Sequence, residues 1–143
     1  MRDFHSPNIL WQSAETGSAR IGLLDFQDAM IGPVAYDLAS LAQDARVDMP
    51  LELEEAVSAA YLEEAQDIDP AFDAEMHAAQ YAIMASQRAT KLLGLFVRLH
   101  ERDGKPQYLR HIPRIQTYLK RSLMHPANAR LKAIYDDWGV TGA

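Results

Sequence analysis

The sequence has 143 residues, 48% of them hydrophobic and 24% charged, with 14 basic against 20 acidic side chains and no cysteine. Such a length favours one domain, residues 1–143, with a core of its own, and the composition excludes a collagen-like, low-complexity or disordered chain. The net charge of −6 argues against general affinity for nucleic acid, and the lack of cysteine excludes disulfides, thiolate metal sites and cysteine nucleophiles and fits a cytoplasmic setting.

The first residues, Met1 to His5, are too polar for a signal peptide, and no apolar run approaches the roughly 18 residues of a membrane span. Asn8 to Gln12 and Ala19 to Leu24 are short apolar runs flanking Glu15-Thr16-Gly17-Ser18, which predicts a β-hairpin. Gly32-Pro33 then breaks the chain, and Leu38, Leu41, Ala42 and Ala45 give Tyr36 to Arg46 a helical stripe. A more acidic helix is expected over Leu51 to Gln66. Asp69-Pro70 reads as an N-cap and first-turn proline, opening a long helix that ends at Asp103-Gly104.

That helix carries apolar residues on more than one line: Ala79, Ile83, Leu93 and Val97 on one, Ala85, Leu92, Leu95 and Leu99 on another. It is expected to be the central buried helix. Gln87, Arg88 and Lys91 interrupt it, as a buried ion pair or a solvated edge. Further helices are expected over Gln107 to Met124, with Pro113 near the start, and Ala127 to Trp138, followed by a frayed end from Gly139 to Ala143. Trp11 and Trp138 read as core or rim aromatics. The fold class is therefore α+β, mainly α: a short N-terminal hairpin followed by about five helices. Charge is uneven, since eleven of the fourteen basic residues lie between Arg88 and Lys132, and residues 47–87 have none. Packing of oppositely charged helices accounts for this more simply than a charged-ligand cleft.

Chemistry concentrates in the first forty residues, where Asp3, His5, Asn8, Asp25, Asp28 and Asp37 interrupt a core-forming pattern. A hairpin brings the start of one strand near the end of its partner, so Asn8 and Asp25 should lie close together. Convergent oxygen ligands of this kind suit Mg²⁺, which binds through one or two carboxylates plus substrate phosphates. Spacing adds to this: Arg2-Asp3-Phe4-His5-Ser6-Pro7-Asn8 matches the kinase catalytic loop H-R-D-L-x-x-x-N from its second position, and Asp25-Phe26-Gln27 resembles D-F-G.

Through these motifs the sequence resembles the aminoglycoside phosphotransferase and choline kinase group. Within it, the chain looks most like the bacterial kinases of N-acetylmuramate and N-acetylglucosamine that act at the anomeric position. The resemblance continues through Gly22-Leu23-Leu24-Asp25-Phe26-Gln27-Asp28-Ala29, Gly32 to Leu41, Ser86-Gln87-Arg88, Leu93-Gly94 and Arg102-Asp103-Gly104-Lys105. It implies a protein-kinase-like C-terminal lobe, with ATP as co-substrate, Mg²⁺ as cofactor and an amino sugar as phosphoryl acceptor. By the same resemblance Asp3 is the catalytic base, while Asn8 and Asp25 hold Mg²⁺ against the nucleotide. His5 and Asp28 touch substrate or orient the loop, and Asp37 hydrogen-bonds the loop backbone.

The resemblance also implies an N-terminal lobe with a glycine-rich loop and a strand lysine, neither of which the chain contains. No two glycines are two residues apart, and Lys91, Lys105, Lys120 and Lys132 all fall late in the sequence. The expectation is half of a kinase, inactive by itself. Two other readings stay open: a non-catalytic helical binding or scaffold module, and a metal-dependent hydrolase using Asp3, His5, Asn8 and Asp25 around one ion.

Overall fold

A computed structural model describes residues 1–141. The N-terminal strands β1 (Ile9–Trp11) and β2 (Ile21–Leu23) form an antiparallel pair in which Ile9 faces Leu23 and Trp11 faces Ile21. Their connection includes a 3-10 turn over Gly17–Arg20, where Gly17 takes a positive φ of 56° that a side chain would disfavour. Five helices follow: α1 (Val34–Ala42), α2 (Leu51–Ile68), α3 (Ala74–Asp103), α4 (Ile112–Leu123) and α5 (Ala129–Asp137). The mainly α architecture is thus the expected one. No helix among the described residues is long and apolar enough to cross a membrane.

The core lies where α3 crosses α4. Phe96 and Ala89 of α3 pack with Ile115, Leu119 and Leu123 of α4 and with Ala45 beyond α1. Leu92, Leu93, Leu95 and Leu99 of the two expected apolar lines pack against this core, but Ile83 and Val97 do not and are 41% and 45% exposed. A 30-residue helix covered by neighbours on only part of its circumference leaves such residues at the edge. Trp11 and Trp138 are likewise outside the core, at 64% and 71% exposure, and the guanidinium of Arg20 covers one face of Trp11 at 5.2 Å.

Helix ends depart from the sequence reading where tertiary partners compete. Asp69 does not open α3; its N–H closes α2 on Ala65, and its carboxylate accepts from Ala71 N. Asp73 is the N-cap instead, accepting from Met76 N at 2.9 Å, and Phe72 before it packs on His77 in a hydrophobic staple. α1 stops at Ala42, short of the expected Arg46, because Gln43 and Asp44 are drawn into buried hydrogen bonds incompatible with another turn. Residues Pro106–His111 form a 3-10 turn rather than the start of α4, which begins where Pro113 can occupy the first turn without losing a hydrogen bond. Beyond α5 the chain is pinned: Val140 N donates to Tyr135 O, and Gln116 donates to Val140 O. The remainder of the expected frayed end, residues 142–143, lies outside the described residues.

The acidic and basic halves meet at two ion pairs, Arg121–Glu54 at 2.8 Å and Arg114–Asp48 at 2.6 Å. Arg88 is buried but makes no ion pair among the described residues; its Nη1 donates to the carbonyl of Gln43 at 3.1 Å and so ties α3 to the end of α1. Asn128 joins three helices, with its amide nitrogen within 3.0 Å of Ala82 O, Ser86 Oγ and Ser122 O. Asn128→Ala would leave buried acceptors without a donor, and a loss of about 1–3 kcal/mol is expected in urea melts.

Candidate active site

The hairpin register sets the geometry of the candidate site. Leu24 N donates to Asn8 O at 2.9 Å, continuing the ladder by one pair beyond Ile9 and Leu23. Asp25, the next residue, therefore arrives beside Asn8, and its Oδ2 lies 3.5 Å from Asn8 Nδ2. The same amide nitrogen donates to the main-chain oxygen of Asp3 at 2.9 Å. Asn8 thus ties Asp3 to Asp25 and keeps its own Oδ1 free of hydrogen bonds among the described residues. The other carboxylate oxygen of Asp25 is held by Gln27 Nε2 at 2.5 Å.

Backbone strain marks the same place. Arg2 and Asp25 are the two non-glycine residues with positive φ, 75° and 56°, among the described residues. Such conformations persist where surrounding contacts impose them, and they gather at functional sites. For Arg2 the contact is visible: its N–H donates to Asp37 Oδ1 at 2.9 Å, and the Met1 nitrogen donates to Asp37 Oδ2. Asp37, in the first turn of α1, therefore braces the main chain just before Asp3.

A second brace was not singled out in the sequence. Asp44, 1% exposed, accepts from both the N–H and the hydroxyl of Ser6, midway between Asp3 and Asn8, and from Arg46 N. Burial works to raise its pKa, but the bonds from the Ser6 hydroxyl, Arg46 N and Ser6 N outweigh it, and the carboxyl is held below its ordinary value. One signal was present: a carboxylate just past a helix C-terminus opposes the helix dipole and needs another partner.

The remaining residues are less central. His5 stands with Nε2 3.1 Å from Arg46 Nη1, while its buried Nδ1 has no hydrogen-bond partner among the described residues. Asp28 is exposed in the turn after Asp25 and makes no side-chain hydrogen bond among the described residues. No cluster of three or more His, Asp or Glu side chains able to hold a metal occurs there either. A self-sufficient metal cage around Asp3, His5, Asn8 and Asp25 does not form. One carboxylate and one free amide oxygen do fit Mg²⁺, which commonly completes its shell with water and phosphate oxygens.

The model of the phosphotransferase enzyme family matches residues 2–76, more than half of the chain and the whole of the cluster. The chain belongs to that family. It is similar to the N-acetylmuramate/N-acetylglucosamine kinase of Caulobacter vibrioides, 41% identical over 136 residues, or 94% of this chain and 36% of that protein. The kinase of the same name from Pseudomonas putida is 38% identical over 120 residues, 82% of this chain and 34% of the relative. That from Neisseria meningitidis is 41% identical over 124 residues, 84% and 35% respectively. The chain spans about a third of the length of these relatives.

Proposed function

We propose that this chain is the substrate- and Mg²⁺-binding lobe of an ATP-dependent small-molecule kinase that transfers the γ-phosphoryl group to a hydroxyl of an amino sugar. The observation that carries the reading is that the Asn8 side chain joins the two motifs, its amide nitrogen donating to the main-chain oxygen of Asp3 and lying 3.5 Å from the Asp25 carboxylate. Asp3 accepts the proton of the substrate hydroxyl. Asn8 Oδ1 and Asp25 hold Mg²⁺, which neutralises charge on the nucleotide phosphates when bound. Phosphoryl transfer needs little covalent chemistry from the protein, so rigid placement of these groups is its main contribution. The strain at Asp25 and the two braces, Asp37 and Asp44, favour such a site over a scaffold without turnover.

The amino-sugar assignment rests on the names of the relatives, together with a cleft of about 610 Å³ beside the loop. Its lining includes Arg2, Tyr36, Asp37, Gln87 and Lys91, a set of hydrogen-bonding groups suited to a polyhydroxylated ring. Lys91 Nζ is fixed by Tyr36 Oη at 3.3 Å. Leu10, Trp11, Phe26, Met30 and Ile31, all exposed on the hairpin and the loop after it, fit a surface that a nucleotide-binding lobe covers. A cytoplasmic enzyme with no nucleic-acid or membrane partner follows from this reading.

The test is ATP-dependent phosphorylation of N-acetylmuramate, N-acetylglucosamine and an aminoglycoside. The chain alone is expected to show little turnover, and the chain joined to the upstream part of the Caulobacter vibrioides relative is expected to phosphorylate the amino sugars. Absence of product from every acceptor with the joined protein rejects the reading. In that protein Asp25→Asn should raise the Mg²⁺ concentration for half-maximal rate by at least about tenfold, since even outer-sphere changes cost 10–100-fold in metal affinity. An unchanged Mg²⁺ dependence removes Asp25 from the metal site.

A further inference from the structure

Gln87 and Lys91 break the apolar pattern of α3 on the side where the 610 Å³ cleft opens. With Met84 they stand at i, i+3 and i+7 on one helix face and form one wall of that cleft. At 1.5 Å of rise per residue the wall runs about 10 Å, long enough for a ring together with a substituent. The facing wall is the start of α1, with Tyr36 and Asp37, and Arg2 of the Asp3 loop also lines the space.

The charges of this cleft do not cancel. Its one carboxylate, Asp37, is taken up by the Arg2 N–H and the Met1 nitrogen. The side chains of Arg2 and Lys91 also line the cleft, and neither makes an ion pair among the described residues. A chain with a net charge of −6 thus keeps a cationic cleft, whose walls concentrate the field on whatever enters. Of the two side chains Lys91 is the one held in place. Its ammonium donates to Tyr36 Oη at 3.3 Å and stands 6.0 Å from the centre of that ring. The partner is a neutral hydroxyl, so the charge is steadied without being neutralised, and two of the three ammonium donors stay available. Arg2 directly precedes Asp3, which places its side of the cleft beside the group that accepts the proton.

We propose that Lys91 is a specificity-determining residue that pairs with a carboxylate on the phosphoryl acceptor, so that the cleft prefers an acidic amino sugar to a neutral one. This assignment deepens the kinase reading of the Asp3 cluster and rests on it. Ring hydroxyls can be met by Gln87, Tyr36 and Asp37. An oriented ammonium without a counter-charge adds affinity chiefly for an anionic substituent, because it gains an ion pair there and loses none.

N-acetylmuramate and N-acetylglucosamine share ring and acetamide, and only the first adds a lactyl ether with a carboxylate. The test titrates the full chain with each sugar, and with inorganic phosphate, while the ¹H and ¹⁵N shifts of the cleft residues are followed. N-acetylmuramate is expected to bind at least about fivefold more tightly than N-acetylglucosamine, the value of an ion pair that stays partly open to water. Salt at 1 M, where the screening length is about 3 Å, should narrow the difference. Lys91→Met keeps the length of the side chain and removes its charge, and should bring the two sugars to similar affinity; Lys91→Arg should keep most of the preference. Lys91 is exposed, so neither change leaves a buried group unpaired. Equal binding of the two sugars by the parent chain, or saturable binding of neither, overturns the assignment. A preference that survives Lys91→Met moves the carboxylate to another residue, and tighter binding of phosphate than of N-acetylmuramate marks a phosphate site; either also overturns it. None of these outcomes depends on turnover, whereas the kinase reading fails only when the joined protein makes no product, so the two failures are told apart.

Discussion

Asp3→Asn, made in the protein that carries both lobes, is expected to lower kcat for amino-sugar phosphorylation by about 10²–10⁴-fold, the usual contribution of a positioned proton acceptor. The fold should not change, because the loop is held by other atoms. Asn8 takes the main-chain oxygen of Asp3, not its carboxylate, and Asp37 and Asp44 brace the backbone on either side. Asp3 is itself exposed, so replacing its carboxylate by an amide leaves no buried charge behind. Urea midpoints of the variant and the parent should therefore agree, and KM for ATP should stay close to the parent value, since the residues assigned to Mg²⁺ are untouched. Steady-state kinetics at saturating Mg²⁺ make the measurement. A variant with the parent kcat rejects the proton-accepting role and leaves Asp3 as a spacer in the loop.

How far the sequence disclosed this site depends on whether the signal was local. The Gly17 turn and the two apolar runs are local, and with the period-2 geometry of a hairpin they brought Asn8 next to Asp25 before any coordinates. The long α3 was equally legible, because thirty residues of helical periodicity ending at a left-handed Gly104 leave few alternatives. What the sequence hid was decided by partners distant along the chain. Gln43 ends α1 because its side chain reaches Glu54 and Ser122 while its carbonyl takes Arg88, and none of these lies within ten residues of it. Pattern reading places such polar residues at the surface, yet Gln43, Asp44, Glu54 and His77 are all buried. Asp69 and Asp73 pose the opposite problem, since both have capping chemistry and only the packing of Phe72 on His77 favours the second.

Asp44→Ala is expected to cost about 2–4 kcal/mol of stability, because three donors, Ser6 N–H, Ser6 O–H and Arg46 N–H, lose one buried carboxylate at once. Function should suffer separately. Ser6 lies in the stretch between Asp3 and Asn8, and a displacement of about 1 Å there is enough to lower kcat about 10²-fold even at a temperature where the variant is fully folded. Asp44→Asn should fall between the parent and the alanine variant, since the amide oxygen still accepts but its nitrogen opposes one of the three donors. The pH dependence distinguishes a charged brace from simple packing. Asp44 is held below its ordinary pKa, so the folded state binds fewer protons than the unfolded state between the two values, and its contribution is complete above about pH 4, the unfolded carboxyl range. As the pH falls through the lower, folded-state pKa of Asp44, the contribution is lost. The stability gap between the parent and Asp44→Asn, measured by urea melts, should therefore be constant from neutral pH down to that range and close below it. A gap that persists unchanged into acid would mean that Asp44 supports the loop by shape and not by charge.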